Sequence, residues 1–149
     1  MHFEDLSPYS YDLPHVRNVG WLWKGMEYPT GRVSGLVEAL KRWAVGAAAN
    51  RMRGYELCRF CPPIGYEQMS TNWNGESLWL GSFEIWIPDG TGGIFAAPSL
   101  MVHYVEAHDY LPPQQFIDTV LQPIPDDWDA EAVVAKLIEA AFAAPTPDS

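Results

Sequence analysis

Apolar side chains recur every three to four positions between Ser34 and Arg51. Leu36, Val37, Leu40, Trp43 and Ala44 fall on one side of a helical wheel, with Glu38, Lys41 and Arg42 on the other. The spacing predicts an amphipathic helix whose first free N–H groups are capped by Ser34. Further along, the stretch SLWLGSFEIWIPDGTGGIFAAP (Ser77 to Pro98) is rich in aromatic and β-branched residues. It predicts strands at Ser77–Leu80, Phe83–Ile87 and Gly93–Ala96. PDGTGG supplies the Asp and Gly that a hairpin turn between the last two strands demands.

Helical spacing then returns. Pro98 suits a first helical position, and Leu100, Met101, Tyr104 and Val105 share a face, so a helix is expected over Pro98–Asp109. Pro112 and Pro113 interrupt it, and PQQFIDTVLQ restarts as a short helix with Phe116, Ile117 and Val120 inward. The last helix, WDAEAVVAKLIEAAFAA, is capped by Asp126 or Asp127 and turns Val133, Val134, Leu137, Ile138 and Phe142 to the core. Within the first thirty residues only Asn18–Trp23 resembles a strand; the rest is expected to be irregular and pinned by its aromatics. CPPIGYEQMSTNWNGE, from Cys61 to Glu76, reads as loop. The pattern as a whole implies an α+β fold, a small antiparallel sheet or hairpin with three to four helices. It implies one globular domain over residues 1–144, with 145–149 as a disordered tail.

Composition fits a folded chain. Of 149 residues 48% are hydrophobic and seven are Trp, which is enough apolar surface for a core without covalent staples. The first residues lack the apolar run of a leader peptide, and no segment has the roughly 20 apolar residues of a membrane span, so a cytoplasmic protein is expected. Nine basic side chains stand against nineteen acidic ones. The imbalance is uneven: residues 60–149 hold one basic residue, Lys136, and thirteen acidic ones. That acidity argues against nucleic-acid and anionic-membrane binding and suits a basic protein partner.

The only two cysteines, Cys58 and Cys61, form a Cys-x-x-Cys pair. In a reducing compartment such a pair points to metal binding before a disulfide, and Pro62 and Pro63 oppose the helix start that a thioredoxin-like redox pair needs. His103 and His108, five residues apart, complete a Cys2His2 set for a structural zinc. A cysteine turn, then a hairpin, then a helix carrying the last two ligands is similar to treble-clef zinc sites. Catalytic metal motifs fit less well. Glu106 lies between the histidines, but the His-Glu-x-x-His spacing is absent, as is the deaminase signature. No phosphate-binding loop, nucleophile elbow or dinucleotide fingerprint is present. His2 and His15 have no evident acid or nucleophile partner, and Asp126, Asp127, Asp129 and Glu131 are explained by complementing the dipole of a helix start.

Five segments, FEDLSPYSY, NVGWL, YPTG, RMRGYELCRFCP and FAAPSLMVHYVEAHDYLPPQQFI, resemble a family of small, uncharacterised bacterial proteins. In that family a His precedes the cysteine pair and Gly-Asn-Gly-Glu opens the first hairpin strand. Here Glu56 and GSFE stand instead, so no ligand is expected at position 56. The resemblance implies that the Cys/His grouping is a unit and carries no reaction with it.

The expected function is therefore a non-enzymatic interaction protein with structural zinc, its partner another protein. In its specific form it is an immunity protein that binds and neutralises a basic toxin domain. The enzyme alternative is a metal-dependent hydrolase using His103, His108 and Glu106. A second alternative, a nucleic-acid-associated zinc protein, rests on Arg51, Arg53 and Arg59 beside the cysteines.

Overall fold

The computed structural model describes residues 3–10, 13–51, 56–61 and 70–143, with side chains to residue 141. Its centre is a hairpin of two strands, β6 (Glu84–Pro88) and β7 (Ile94–Pro98), with Trp86 opposite Ala96 and Ile87 opposite Phe95. All of β7 and all of β6 but Pro88 are buried. A strand pair covered on both faces needs that, and it is why IFAAP reads as a continuous apolar run. The PDGTGG turn forms where the sequence places it. Asp89 Oδ1 accepts the N–H groups of Thr91 and Gly93 at 2.8 and 3.0 Å.

The sheet built on this hairpin has five strands in the order β1-β2-β7-β6-β3, where β1 is Pro8–Ser10, β2 Leu13–Asn18 and β3 Ala48–Ala49. β2 runs parallel to β7 and the other pairs are antiparallel, so the sheet is mixed. A separate ladder joins β4 (Ser70–Trp73) to β5 (Glu76–Trp79). Four helices complete the described α+β fold: α1 (Leu36–Gly46), α2 (Met101–His108), α3 (Gln114–Val120) and α4 (Ala130–Ala143). α1 packs on α2, α3 and β6, and α4 on β3 and β6. Phe95 of β7 meets Phe116 of α3 edge to face at 5.4 Å. Trp43 of α1 is buried and donates its indole N–H to Val120 O at 2.8 Å.

Several elements depart from the pattern. The N-terminal strand is Leu13–Asn18, not Asn18–Trp23; Val19–Trp23 is irregular, though Trp21 is buried and donates to Ala96 O at 2.9 Å. β4 forms inside the segment that reads as loop. Pro98 ends β7 and α2 begins only at Met101, because the Pro98 backbone continues the ladder opposite Glu84. Gly35, in the left-handed region at φ 79°, precedes α1 in place of a Ser34 cap, and no side chain caps that end. At α4 the cap is Asp129, whose Oδ1 accepts the Ala132 N–H at 3.0 Å, rather than Asp126 or Asp127. Val134 of α4 is buried as expected, but Ile138 is exposed; the Phe142 side chain and the 145–149 tail lie outside the described residues.

Candidate metal centre

Two pieces of chain build the site. One is the irregular segment 56–61; the other is the C-terminal part of α2, which ends at His108 because Asp109 turns into the left-handed region at φ 54°. The cysteine segment is pinned at its start. The Glu56 N–H donates to Gly81 O at 2.9 Å, and the Gly81 N–H donates to Ser99 Oγ at 2.7 Å. Gly81 has φ 101°, and a Cβ there would lie 2.5 Å from the Glu56 carbonyl oxygen, so glycine is required for this approach. On the other side, the Tyr28 hydroxyl donates to His108 O at 3.2 Å. Backbone bonds between Gly31 and Asp109 and between Leu111 and Pro29 tie the YPTG segment to the chain just after α2.

Cys58, Cys61, His103 and His108 converge. One ligand atom from each lies within 4.8 Å of all the others. His108 Nε2 is 3.4 Å from Cys58 Sγ and 3.3 Å from Cys61 Sγ, and His103 Nε2 is 3.2 Å from Cys61 Sγ. Metal bonds of about 2.3 Å to sulfur and about 2.0 Å to nitrogen at tetrahedral angles separate S from N by about 3.5 Å. Three of the four sulfur–nitrogen separations are therefore close to those of a Cys2His2 tetrahedron, and all four ligand atoms lie within 4.8 Å of one another. Residues five apart on a regular helix are turned by roughly 140°. The two imidazoles nevertheless close to 5.1 Å between centroids, with His108 at the helix terminus.

The surroundings fit a cation. The backbone N–H groups of Phe60 and Cys61 hydrogen-bond Cys58 Sγ, an arrangement that favours thiolate. Burial outweighs them in the metal-free protein and pushes the Cys58 thiol up to about 11. A metal must therefore displace that proton on binding. Burial lowers the pKa of His103, helped by the neighbouring His108, and burial also lowers that of His108. Both rings are thereby kept neutral, with lone pairs available as ligands. Phe60 covers the site, 5.6 Å from the His108 ring, 5.8 Å from Tyr104 and 5.3 Å from Tyr28.

Glu106, the carboxylate of the hydrolase alternative, is employed elsewhere. Its Oε2 pairs with Lys41 Nζ at 3.0 Å, and its Oε1 accepts the Thr71 hydroxyl at 2.6 Å. Burial alone would raise its pKa, but the Thr71 and Lys41 bonds prevail and hold it below the usual carboxylate range. Lys41 also donates to Asn72 O at 3.0 Å. The polar face of α1 thus is not solvated at this point: Lys41 is buried and fastens β4 and α2 to α1. Sequence spacing carries no sign of this link, because its members lie on three separate elements. Two of the three arginines of the basic patch lie among the described residues. Arg51 stacks over Phe83 at 5.1 Å and pairs with Glu131 at 3.6 Å, Arg59 is exposed, and Arg53 lies outside the described residues. His15 is exposed on β2, and His2 is likewise outside them.

A family model, Domain of unknown function (DUF7919), matches residues 1–121. The chain belongs to this family. The match spans the cysteine segment, both hairpins and α2 and α3, and stops before α4. Comparison with curated proteins and with solved structures finds no match. Among the described helices none is long and apolar enough to cross a membrane.

Proposed function

We propose that this member of the DUF7919 family is a non-enzymatic binding protein whose fold is completed by a structural zinc on Cys58, Cys61, His103 and His108. The observation that carries this reading is the complete four-residue set. A tetrahedral ion so held has no open position for substrate, and Glu106, the carboxylate between the two histidines, is committed to Lys41 and Thr71. Zinc is favoured over other ions by the mixed thiolate and imidazole donors and the tetrahedral spacing. The hydrolase reading would need an exchangeable water on the metal and a free Glu106. Cobalt substitution tests this: a tetrahedral S2N2 spectrum without an exchangeable water is expected, and a five-coordinate, water-bearing ion would overturn it.

The partner in this proposal is a basic protein, and the specific form is an immunity protein that neutralises a bacterial toxin. Support comes from the excess of nineteen acidic over nine basic side chains and from exposed apolar residues such as Trp79 and Leu57. The test is genetic and biochemical. A toxin-domain gene directly upstream, whose product is bound and silenced on coexpression, is the expected result. Absence of such a gene across several genomes sinks the immunity form.

A further inference from the structure

Glu84 opens β6 with only 5% of its surface exposed. Burying a carboxylate is costly unless its charge is compensated. Three neutral donors converge on Oε1: Trp86 Nε1–H at 2.9 Å, the Tyr9 hydroxyl at 3.1 Å and Asn50 Nδ2–H at 3.2 Å. Among the described residues Oε2 receives only the same Tyr9 hydroxyl, at 3.3 Å, and a hydroxyl has a single proton to give. Asn50 is held in the left-handed region at φ 51°, a strained conformation for a side chain committed to this cluster. No cation pairs with Glu84 among the described residues. Arg51 lines the same cavity as Glu84, with its guanidinium over the Phe83 ring at 5.1 Å and 3.6 Å from Glu131.

Glu84, Trp86 and Arg51 line a 330 Å³ cavity together with Val134 and Ile138 of α4. At about 30 Å³ per water-sized group, that volume takes a molecule of about ten heavy atoms. The Tyr9 and Trp86 rings stand edge to face, 5.2 Å apart, and present aromatic surface beside the carboxylate. Leu13, Val134 and Ile138 add apolar surface to the lining, and Ile138 is 46% exposed. An anion with spare lone pairs, flanked by aromatic rings and ending in a hydrocarbon wall, is complementary to a cationic head carrying an apolar tail.

We infer that this cavity binds a small primary ammonium ion with an apolar tail, the charge seated on Glu84 Oε2 and the tail against Leu13, Val134 and Ile138. The site is separate from the Cys/His cluster, and the inference does not depend on the metal or on a protein partner.

The test is titration of the full-length protein with n-hexylammonium, with n-hexanol as the neutral control, followed by the NMR resonance of the Trp86 indole N–H that bonds Glu84. Saturable shifts are expected with n-hexylammonium, at least about ten-fold tighter than with n-hexanol. Glu84→Gln, which keeps the shape and removes the charge, should abolish that preference and leave the n-hexanol response unchanged. Ile138→Trp, at an exposed helix position, should block both by filling the mouth of the cavity. Equal binding of amine and alcohol, an unaltered preference in Glu84→Gln, or no response of the Trp86 indole would each overturn the assignment.

Discussion

The β6–β7 hairpin and the Cys/His end of the molecule are held by different forces. In the hairpin every ladder position is paired and nearly every side chain is buried, with Trp86, Phe95, Ile85 and Ile87 among the most enclosed. Apolar burial of that extent stabilises by about 25 cal/mol per Å² and needs nothing from outside the chain. At the other end, segment 56–61 has no regular structure and is held by a backbone bond to Gly81, by Phe60 packing, and by the thiols facing two imidazoles. Core packing determines where α2 goes; on the proposed reading, the metal determines where the cysteine segment goes. A region with little apolar surface of its own can thus be ordered by a few strong bonds placed at its edge.

The contrast can be tested from its strongest point downward. Phe95→Ala should cost about 3–5 kcal/mol of global stability in urea denaturation while leaving metal stoichiometry unchanged. Loss of the metal in that variant would mean the two regions are one cooperative unit. Gly81→Ala adds a Cβ against the Glu56 carbonyl at a positive φ. It should cost about 1–3 kcal/mol and weaken metal retention more than it perturbs β6–β7 amide exchange.

Lys41→Met keeps the buried stem but leaves Glu106 with Thr71 alone and Asn72 O without its donor. A loss of about 1–2 kcal/mol is expected, with metal affinity down about ten-fold in a chelator competition. If affinity does not change, Glu106 has no part in positioning α2. The smallest effect is in the hairpin turn. Burial would raise the Asp89 pKa, but bonds from Thr91 and Gly93 and the charge of Arg17 hold it below its ordinary 3.8. A carboxyl depressed on folding contributes stability that is present above about pH 4 and lost as pH falls through the folded value. Acid denaturation of Asp89→Asn should therefore lack that increment, and the two proteins should converge at the lowest pH. Divergence there would place the acid sensitivity elsewhere.

How much of this the sequence discloses depends on how local each cause is. The β6–β7 turn, α3 and the grouping of Cys58, Cys61, His103 and His108 are written in short-range signals: turn residues, helical periodicity and ligand spacing. β2 is not, because LPHVRN contains Pro and charge and becomes a strand by pairing with β1 and with β7, the latter far along the chain. β4 hides in a segment of turn-forming residues and is extended by its partner β5. Lys41 shows the same limit in a helix. The periodicity marks it correctly as off the apolar stripe but cannot say that β4 and α2 lie over that stripe's polar neighbour. Pro98 fits a helix start by residue type and is claimed instead by the last rung of the ladder. Glu84 gives little local sign of its role, since Tyr9 and Asn50 reach it from β1 and from the residue after β3, and only Trp86 is its neighbour on β6.

The central claim is that one ion on four named ligands orders the cysteine segment. Metal analysis combined with X-ray absorption of the purified protein, followed by hydrogen exchange before and after chelation, tests it most directly. The expected result is one zinc per chain with two sulfur ligands at about 2.3 Å and two nitrogen ligands at about 2.0 Å. Chelation should release protection at residues 56–61 and around His103 and His108, while β6 and β7 stay protected. A chain that binds no zinc, or that keeps its protection in the cysteine segment after the metal is removed, would contradict the account.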